Sequence, residues 1–208
     1  SSYTYAFSYS LREKYDRNYC YDGAINDFPL RNDRVVANVY RAAGNEAEGK
    51  TEVLKAVNIG ISGNSYTVEV EVFTGLSDPF GSANPPTDGG KSAAKKTQSF
   101  DFGGYVTVSL DTPVELSKGE WFSVIVRITD GNAKIRLGEK NGRNLSYAGT
   151  SGGFTKIGNY VGRIKALTSV IDALPDEDDT EYNFTNLVVL AKFSGEEEFA
   201  NDVYQGAT

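Results

Sequence analysis

The chain has 208 residues, 39% of them apolar, with 22 Gly, 13 Tyr and 11 Phe but no Met and no His. The missing imidazole excludes any Ser-His, Cys-His or His-metal mechanism carried by this chain alone, and the length suffices for a core without disulfides. The net charge of −7 is concentrated in residues 169–208, which hold ten acids and one base, Lys192, so the body is near neutral and shows no nucleic-acid footprint.

The first residue is Ser, with no initiator Met and no basic-then-apolar leader, which reads as a mature chain or a piece of something longer. Residues 3–9 (YTYAFSY) are aromatic enough for an edge strand. Residues 34–42 are β-branched and bounded by Asn, Asp and Gly, as a strand requires. Residues 51–62 place Val53, Val57, Ile59 and Ile61 in one register. Residues 65–75 alternate Tyr66, Val68, Val70 and Val72 against Thr67, Glu69 and Glu71, the pattern of a half-buried antiparallel strand. Gly63-Asn64 between them has the chemistry of a two-residue turn, so 52–62 is expected to pair with 65–74 as a hairpin. Residues 76–99 follow as a long loop rich in Gly, Pro, Ser and Asp. Loops of this length are often functional.

Further strands are expected at 104–110, 120–129, 133–138 and 162–168. A second long Gly/Asn-rich stretch covers 138–156. Residues 174–180 (LPDEDDT) form a charged linker at which a domain boundary is placed, and 186–193 is a near-continuous apolar run suited to a buried strand. Helical periodicity is not sustained; at most a turn or two is expected around 196–204. No apolar run reaches the ~18 residues of a membrane span. Many short strands with Gly-rich turns predict an all-β fold, an antiparallel β-sandwich, with a closed barrel as the alternative. The divisions are 1–18 as N-terminal linker or edge strand, 19–173 as the sandwich, and 174–208 as acidic linker and start of a following segment.

The order of short motifs carries more. Tyr19-Cys20-Tyr21-Asp22-Gly23 precedes Ala37-Asn38-Val39-Tyr40, Leu54-Lys55-Ala56-Val57 and Tyr66-Thr67-Val68-Glu69-Val70. Gly104-Tyr105-Val106-Thr107-Val108, Leu110-Asp111, Lys118-Gly119-Glu120-Trp121-Phe122-Ser123-Val124 and Arg163-Ile164-Lys165-Ala166-Leu167-Thr168 complete the set. In shared order and spacing, residues 19–168 resemble the bacterial lectin-like domain found beside papain-like cysteine protease domains of secreted and cell-surface proteins. Cys20 stands where that family usually has a polar residue. The resemblance implies a jelly-roll or lectin-like sandwich acting as an extracellular accessory module, not a catalyst. Here it carries a short acidic C-terminal extension.

Candidate chemistry is sparse. Cys20 lacks a base to activate it and reads as a small packing side chain. Asp22, Asn26 and Asp27 are the favoured ligands for a structural calcium, ahead of Asp78/Asn84/Asp88 and Asp176/Asp178/Asp179. None of these clusters fits a Ca²⁺-loop motif, and metal-free Asx turn chemistry is the preferred account of them. Glu69 and Glu71 share a strand face, as a glycosidase pair does, although solvated faces commonly look the same. Asn144-Leu145-Ser146 and Asn183-Phe184-Thr185 match the glycosylation pattern, which a bacterial chain leaves unused. Trp121, the only Trp, is read mainly as core.

The ligand-binding candidates are Asp78, Phe80, Asn84 and Asp88 in the first long loop, with Tyr147, Phe154 and Tyr160 in the second stretch, 138–160. Aromatic rings stack on sugars and Asp or Asn bonds hydroxyls, while proline constrains the first loop. The expected function is a non-catalytic module binding carbohydrate or a glycoprotein and tethering a neighbouring protease domain at the cell surface. The alternative is a structural spacer or protein-interaction domain that binds no sugar.

Overall fold

The computed structural model describes residues 15–21, 34–139 and 145–172. Within them lie eleven strands: β1 (Arg17–Tyr19), β2 (Val35–Arg41), β3 (Lys50–Thr74), β4 (Lys91–Leu116), β5 (Trp121–Asp130), β6 (Lys134–Ile135), β7 (Leu137–Glu139), β8 (Ser146–Thr150), β9 (Gly153–Lys156), β10 (Tyr160–Gly162) and β11 (Ile164–Asp172). Every pairing among them is antiparallel. The expected edge strand at 3–9, the run at 186–193 and the turn of helix at 196–204 fall outside the described residues.

The expected hairpin across Gly63-Asn64 does not form. Residues 52–62 and 65–74 are two halves of one 25-residue strand, β3, and they pair with β4 over its length instead of with each other. The physical reason lies at the midpoint. Gly63 has φ +115 and Ser65 has φ +49, so the chain kinks without reversing. Opposite the kink sits Gly103, where a Cβ would come within 2.6 Å of the Gly63 carbonyl oxygen. Glycine on both strands lets a long hairpin bend as a unit.

That bend divides the ladder between two layers. Residues 50–59 of β3 pair with β11, which carries β1 on its other side. Residues 67–73 pair with β5, and the sheet continues through β2, β8 and β9. The two layers face each other. Asn38 Nδ2 on β2 donates to the Gly162 carbonyl at 2.9 Å, Tyr40 OH donates to the Ile164 carbonyl at 2.6 Å, and Tyr19 of β1 meets Phe122 of β5 edge to face at 5.4 Å. The result is an antiparallel β-sandwich. Among the described residues its strand path runs openly from β1 to β9, so the barrel alternative is set aside.

The interior follows the alternation. Tyr66, Val68, Val70 and Val72 are buried with Phe122, Val124 and Val126 in the inner core, while Thr67, Glu69 and Glu71 keep partial exposure. One carboxylate is also buried there. Glu52, 1% exposed, accepts from Arg17 Nη1 at 2.7 Å, Tyr19 OH at 2.7 Å and Thr168 Oγ1 at 2.6 Å, which ties β1, β3 and β11 together.

Candidate functional site

The layer containing β5 and β2 has a second face. Since Phe122, Val124 and Val126 point inward, Trp121, Ser123, Ile125 and Arg127 point away from the inner core, as do Val35, Ala37, Val39 and Arg41 on β2. This outer face is not open to water throughout: Ala37, Val39 and Ile125 are each 0% exposed. A cover comes from residues 75–90, the connection between β3 and β4. Val39, Leu76, Leu145 and Tyr147 form a separate apolar cluster there, with Tyr21, Phe73, Trp121 and Phe154 packed against it.

The connection is a strap rather than an open loop, and it ends earlier than expected because 91–99 belongs to β4. Pro79, Pro85 and Pro86 are buried. Ser123 Oγ donates to the Pro86 carbonyl at 2.6 Å in a buried contact. Ser77 N donates to the Asp88 carbonyl at 2.9 Å and closes the base of the strap, where Gly89, at φ +73, leaves no room for a side chain against Ser77. Glu120 fixes the entry by accepting from Gly75 N at 2.7 Å and from Ser117 N at 2.9 Å.

The strap's polar candidates are spent largely on its own shape. Asp78 Oδ1 accepts from Phe80 N at 3.0 Å, an Asx turn that aims the phenyl ring outward. Asp88 Oδ2 accepts from Ser82 Oγ at 2.8 Å. Asn84 Nδ2 donates to Thr87 Oγ1 at 2.8 Å, and its Oδ1 accepts from Phe154 N at 3.0 Å. Asn84 thereby joins the two segments expected to carry the ligand site, but across a sheet face.

Phe80 is 62% exposed and stands edge-on to Trp121 with ring centroids 6.0 Å apart. The Arg41 guanidinium lies 5.7 Å from the Trp121 ring and donates through Nε to the Gly119 carbonyl at 3.1 Å. Phe80, half-buried Trp121 and Arg41 thus form a rigid aromatic edge with a cation beside it. The part played by Trp121 and Arg41 was hidden in the sequence. They meet only through the β2–β5 register, which pairs Arg41 with Trp121.

The remaining candidates are dispersed. Tyr147, expected in the second Gly/Asn-rich stretch, sits in β8, 5% exposed, with its ring in the outer-face cluster and its phenol held above the ordinary range by burial. Tyr160, 38% exposed, begins β10, which pairs with β7 in a separate two-stranded sheet. Asp22, Asn26 and Asp27 lie outside the described residues. Among the described residues no group of three or more Asp, Glu, His or Cys side chains is placed to hold a metal ion.

Glu69 and Glu71 are locked in ion pairs, Arg127 Nη1 lying 3.2 Å from the first and 2.6 Å from the second, with Lys95 Nζ 3.1 Å from Glu69. Burial pushes the Glu71 carboxyl up, but hydrogen bonds from Ser92 and Arg127 outweigh it and hold it below the usual range. A glycosidase acid needs the opposite shift. A second exposed aromatic pair, Phe102 (76%) and Tyr105 (51%), flanks the kink on β4, with Lys165 Nζ 5.2 Å from the Tyr105 ring.

Residues 18–153 match a family model described as "Lectin like domain". Among solved structures, a clostridial cysteine protease, Cwp84, in a cysteine-to-alanine variant after propeptide cleavage, superposes with a TM-score of 0.53 at 17% identity. The match covers 74% of this chain and 40% of that one, so the chain spans less than half the length of the protein it resembles. A structure of the cysteine protease and lectin-like domains of Cwp84, a surface layer associated protein of Clostridium difficile, matches at 18% identity with a TM-score of 0.49. That match covers 66% of this chain and 32% of that one. No curated protein matches.

Proposed function

Because this chain belongs to the lectin-like domain family, we propose that it is a non-catalytic accessory module that binds surface glycans through the Phe80–Trp121 edge and tethers a neighbouring protease domain at the cell surface. The observation that carries the reading is the exposure of Phe80. A large apolar ring stands 62% exposed on a strap whose backbone is pinned by buried prolines and by Ser123. Held rigidly, it loses little entropy when a sugar stacks on it. Arg41 and the exposed polar atoms of the strap supply hydrogen bonds beside the ring. The tether and the surface location draw support from Cwp84, whose lectin-like domain accompanies a cysteine protease.

Trp121 is the only tryptophan, so its emission reports on this edge alone. Titration with a panel of bacterial-surface and host oligosaccharides is expected to shift Trp121 fluorescence saturably for at least one of them. Phe80→Ala is expected to weaken that ligand by roughly 1 kcal/mol or more with an unchanged melting temperature. A panel without any binder, or a Phe80→Ala variant that binds like the wild type, overturns the assignment.

The second reading is a protein-interaction module, favoured by Phe102 and Tyr105 at the β4 kink. It predicts that Phe102→Ser disrupts association with the adjoining domain and leaves any glycan titration untouched.

A further inference from the structure

At the far end of the same outer face, where the register pairs Val35 with Arg127 rather than Arg41 with Trp121, lies a pocket of about 460 Å³. Arg34, Arg127, Gly149, Thr150, Gly153 and Phe154 line it. That size accommodates a sugar residue or two. We propose that this pocket binds the carboxylate of an acidic saccharide, with Arg34 as the principal anion ligand and Phe154 as the floor beneath the sugar ring. The inference rests on reading the chain as a glycan-binding module, but it uses a different set of side chains from the Phe80 edge.

Charge accounting selects Arg34. Arg127 and Lys95 are matched by Glu69 and Glu71 in the ion pairs already described. Arg34 lies within ion-pair distance of no carboxylate among the described residues. Among the described residues its guanidinium is held by one bond, Nε donating to the Ile128 carbonyl at 3.0 Å. That bond orients the plane of the group and leaves the terminal nitrogens for a partner. Arg127 is preorganised differently, because both of its ion pairs leave from Nη1. A planar carboxylate accepting two parallel N–H bonds matches a guanidinium fork better than it matches an ammonium.

The rest of the lining suits a sugar. Gly149 and Gly153 line the wall without side chains because neighbouring protein atoms, from Val35 and from Asn84 Oδ1, occupy the space a Cβ would need. A Cβ at Gly149 would come within 2.7 Å of Val35, and Gly153 has φ +125. Thr150 Oγ1 donates to the Gly153 carbonyl at 3.1 Å and accepts from Gly152 N at 3.3 Å, which sets the turn from β8 into β9. The bond from Phe154 N to Asn84 Oδ1 fixes the ring's backbone from the strap side.

The test uses the full chain and isothermal titration with three probes: galacturonate oligosaccharides, neutral maltooligosaccharides of matched length, and glucose monophosphate. The uronate series is expected to bind about tenfold more tightly than the neutral series, as fits one charge-assisted hydrogen-bonded pair. That advantage should shrink as salt is raised. Arg34→Gln should remove the advantage, and Arg34→Lys should restore only part of it because the fork is missing. Arg34 is exposed, so neither change threatens folding.

Equal affinity for uronate and neutral probes, or an Arg34→Gln variant that keeps the preference, overturns the proposal. Tighter binding of the phosphate than of the uronate overturns the carboxylate assignment. If neutral sugars bind in a Phe80-dependent way while uronates gain nothing, this inference alone falls. If no probe binds and the wider panel is also silent, the glycan-binding reading falls with it.

Discussion

The two faces of the β5–β2 layer are equally periodic and very differently covered. On the inner face Phe122, Val124 and Val126 meet strands of the opposite layer. On the outer face Ile125 is just as fully buried, at 0% exposure, but it belongs to the face over which the strap folds. Alternation tells which residues share a face. It does not tell whether that face meets a sheet, a strap or water. A strap can leave its margins open in a way a facing sheet cannot, and the aromatic edge and the arginine pocket both occur at those margins.

The comparison is broken most severely from the inside. Val68→Asp should cost about 3 kcal/mol or more, because an unpaired charge enters the inner core. Its outward neighbour gives the contrast: Glu69→Ala loses partly screened ion pairs and should cost less than about 1 kcal/mol. Chemical denaturation of both variants reads the difference directly, and similar values would erase the distinction between the faces.

Glu52→Ala should cost about 2 kcal/mol. The buried Thr168 hydroxyl and the Tyr19 phenol lose their acceptor while Arg17 regains water. Gly103→Ala should cost a similar ~2 kcal/mol, since its Cβ would meet the Gly63 carbonyl at 2.6 Å and backbone must shift.

Ser123→Ala sharpens the comparison from the outside. It removes the bond to Pro86 for about 1 kcal/mol and should loosen the strap. Hydrogen exchange is expected to rise over 76–90 while the inner strands stay protected. The smallest expected effect concerns pH. The phenols of Tyr19, Tyr21, Tyr66 and Tyr147 are all held above their ordinary value by burial. A raised pKa in the folded state contributes stability that is fully present below the unfolded value, about 10, and is lost as pH rises beyond it. With no histidine, no imidazole titrates between about pH 5 and 8. Denaturation midpoints should therefore change little across that range and fall in alkali.

The strands were largely legible because Val68, Val70, Val72 and their counterparts on β5 repeat with period two. The sequence at Gly63-Asn64 does not separate a hairpin from a kink, because a glycine-asparagine pair suits a bulge as well as a turn. What decides between them is Gly103, some forty residues away in the chain. The strap's end is hidden in the sequence for a related reason: β4 is an edge with partly exposed positions, so Ala94, Lys96 and Gln98 carry no apolar alternation. Phe80 stood out through its loop, but its partners did not. Arg41, Trp121, Arg34 and Arg127 acquire their meaning only when β2 and β5 are laid side by side.

The bent β3–β4 ribbon has a consequence for how the molecule comes apart. Its two strands contribute to both layers, so neither layer is a separable block that can melt while the other persists. Backbone amides of residues 54–59 and 68–72 should exchange with one common opening free energy, as a single cooperative unit. Assembly must bring together partners as distant as Lys50 and Asp172 before the layer containing β11 is complete. Refolding is therefore expected to be slow, on the scale of milliseconds to seconds, as for other chains dominated by non-local pairing.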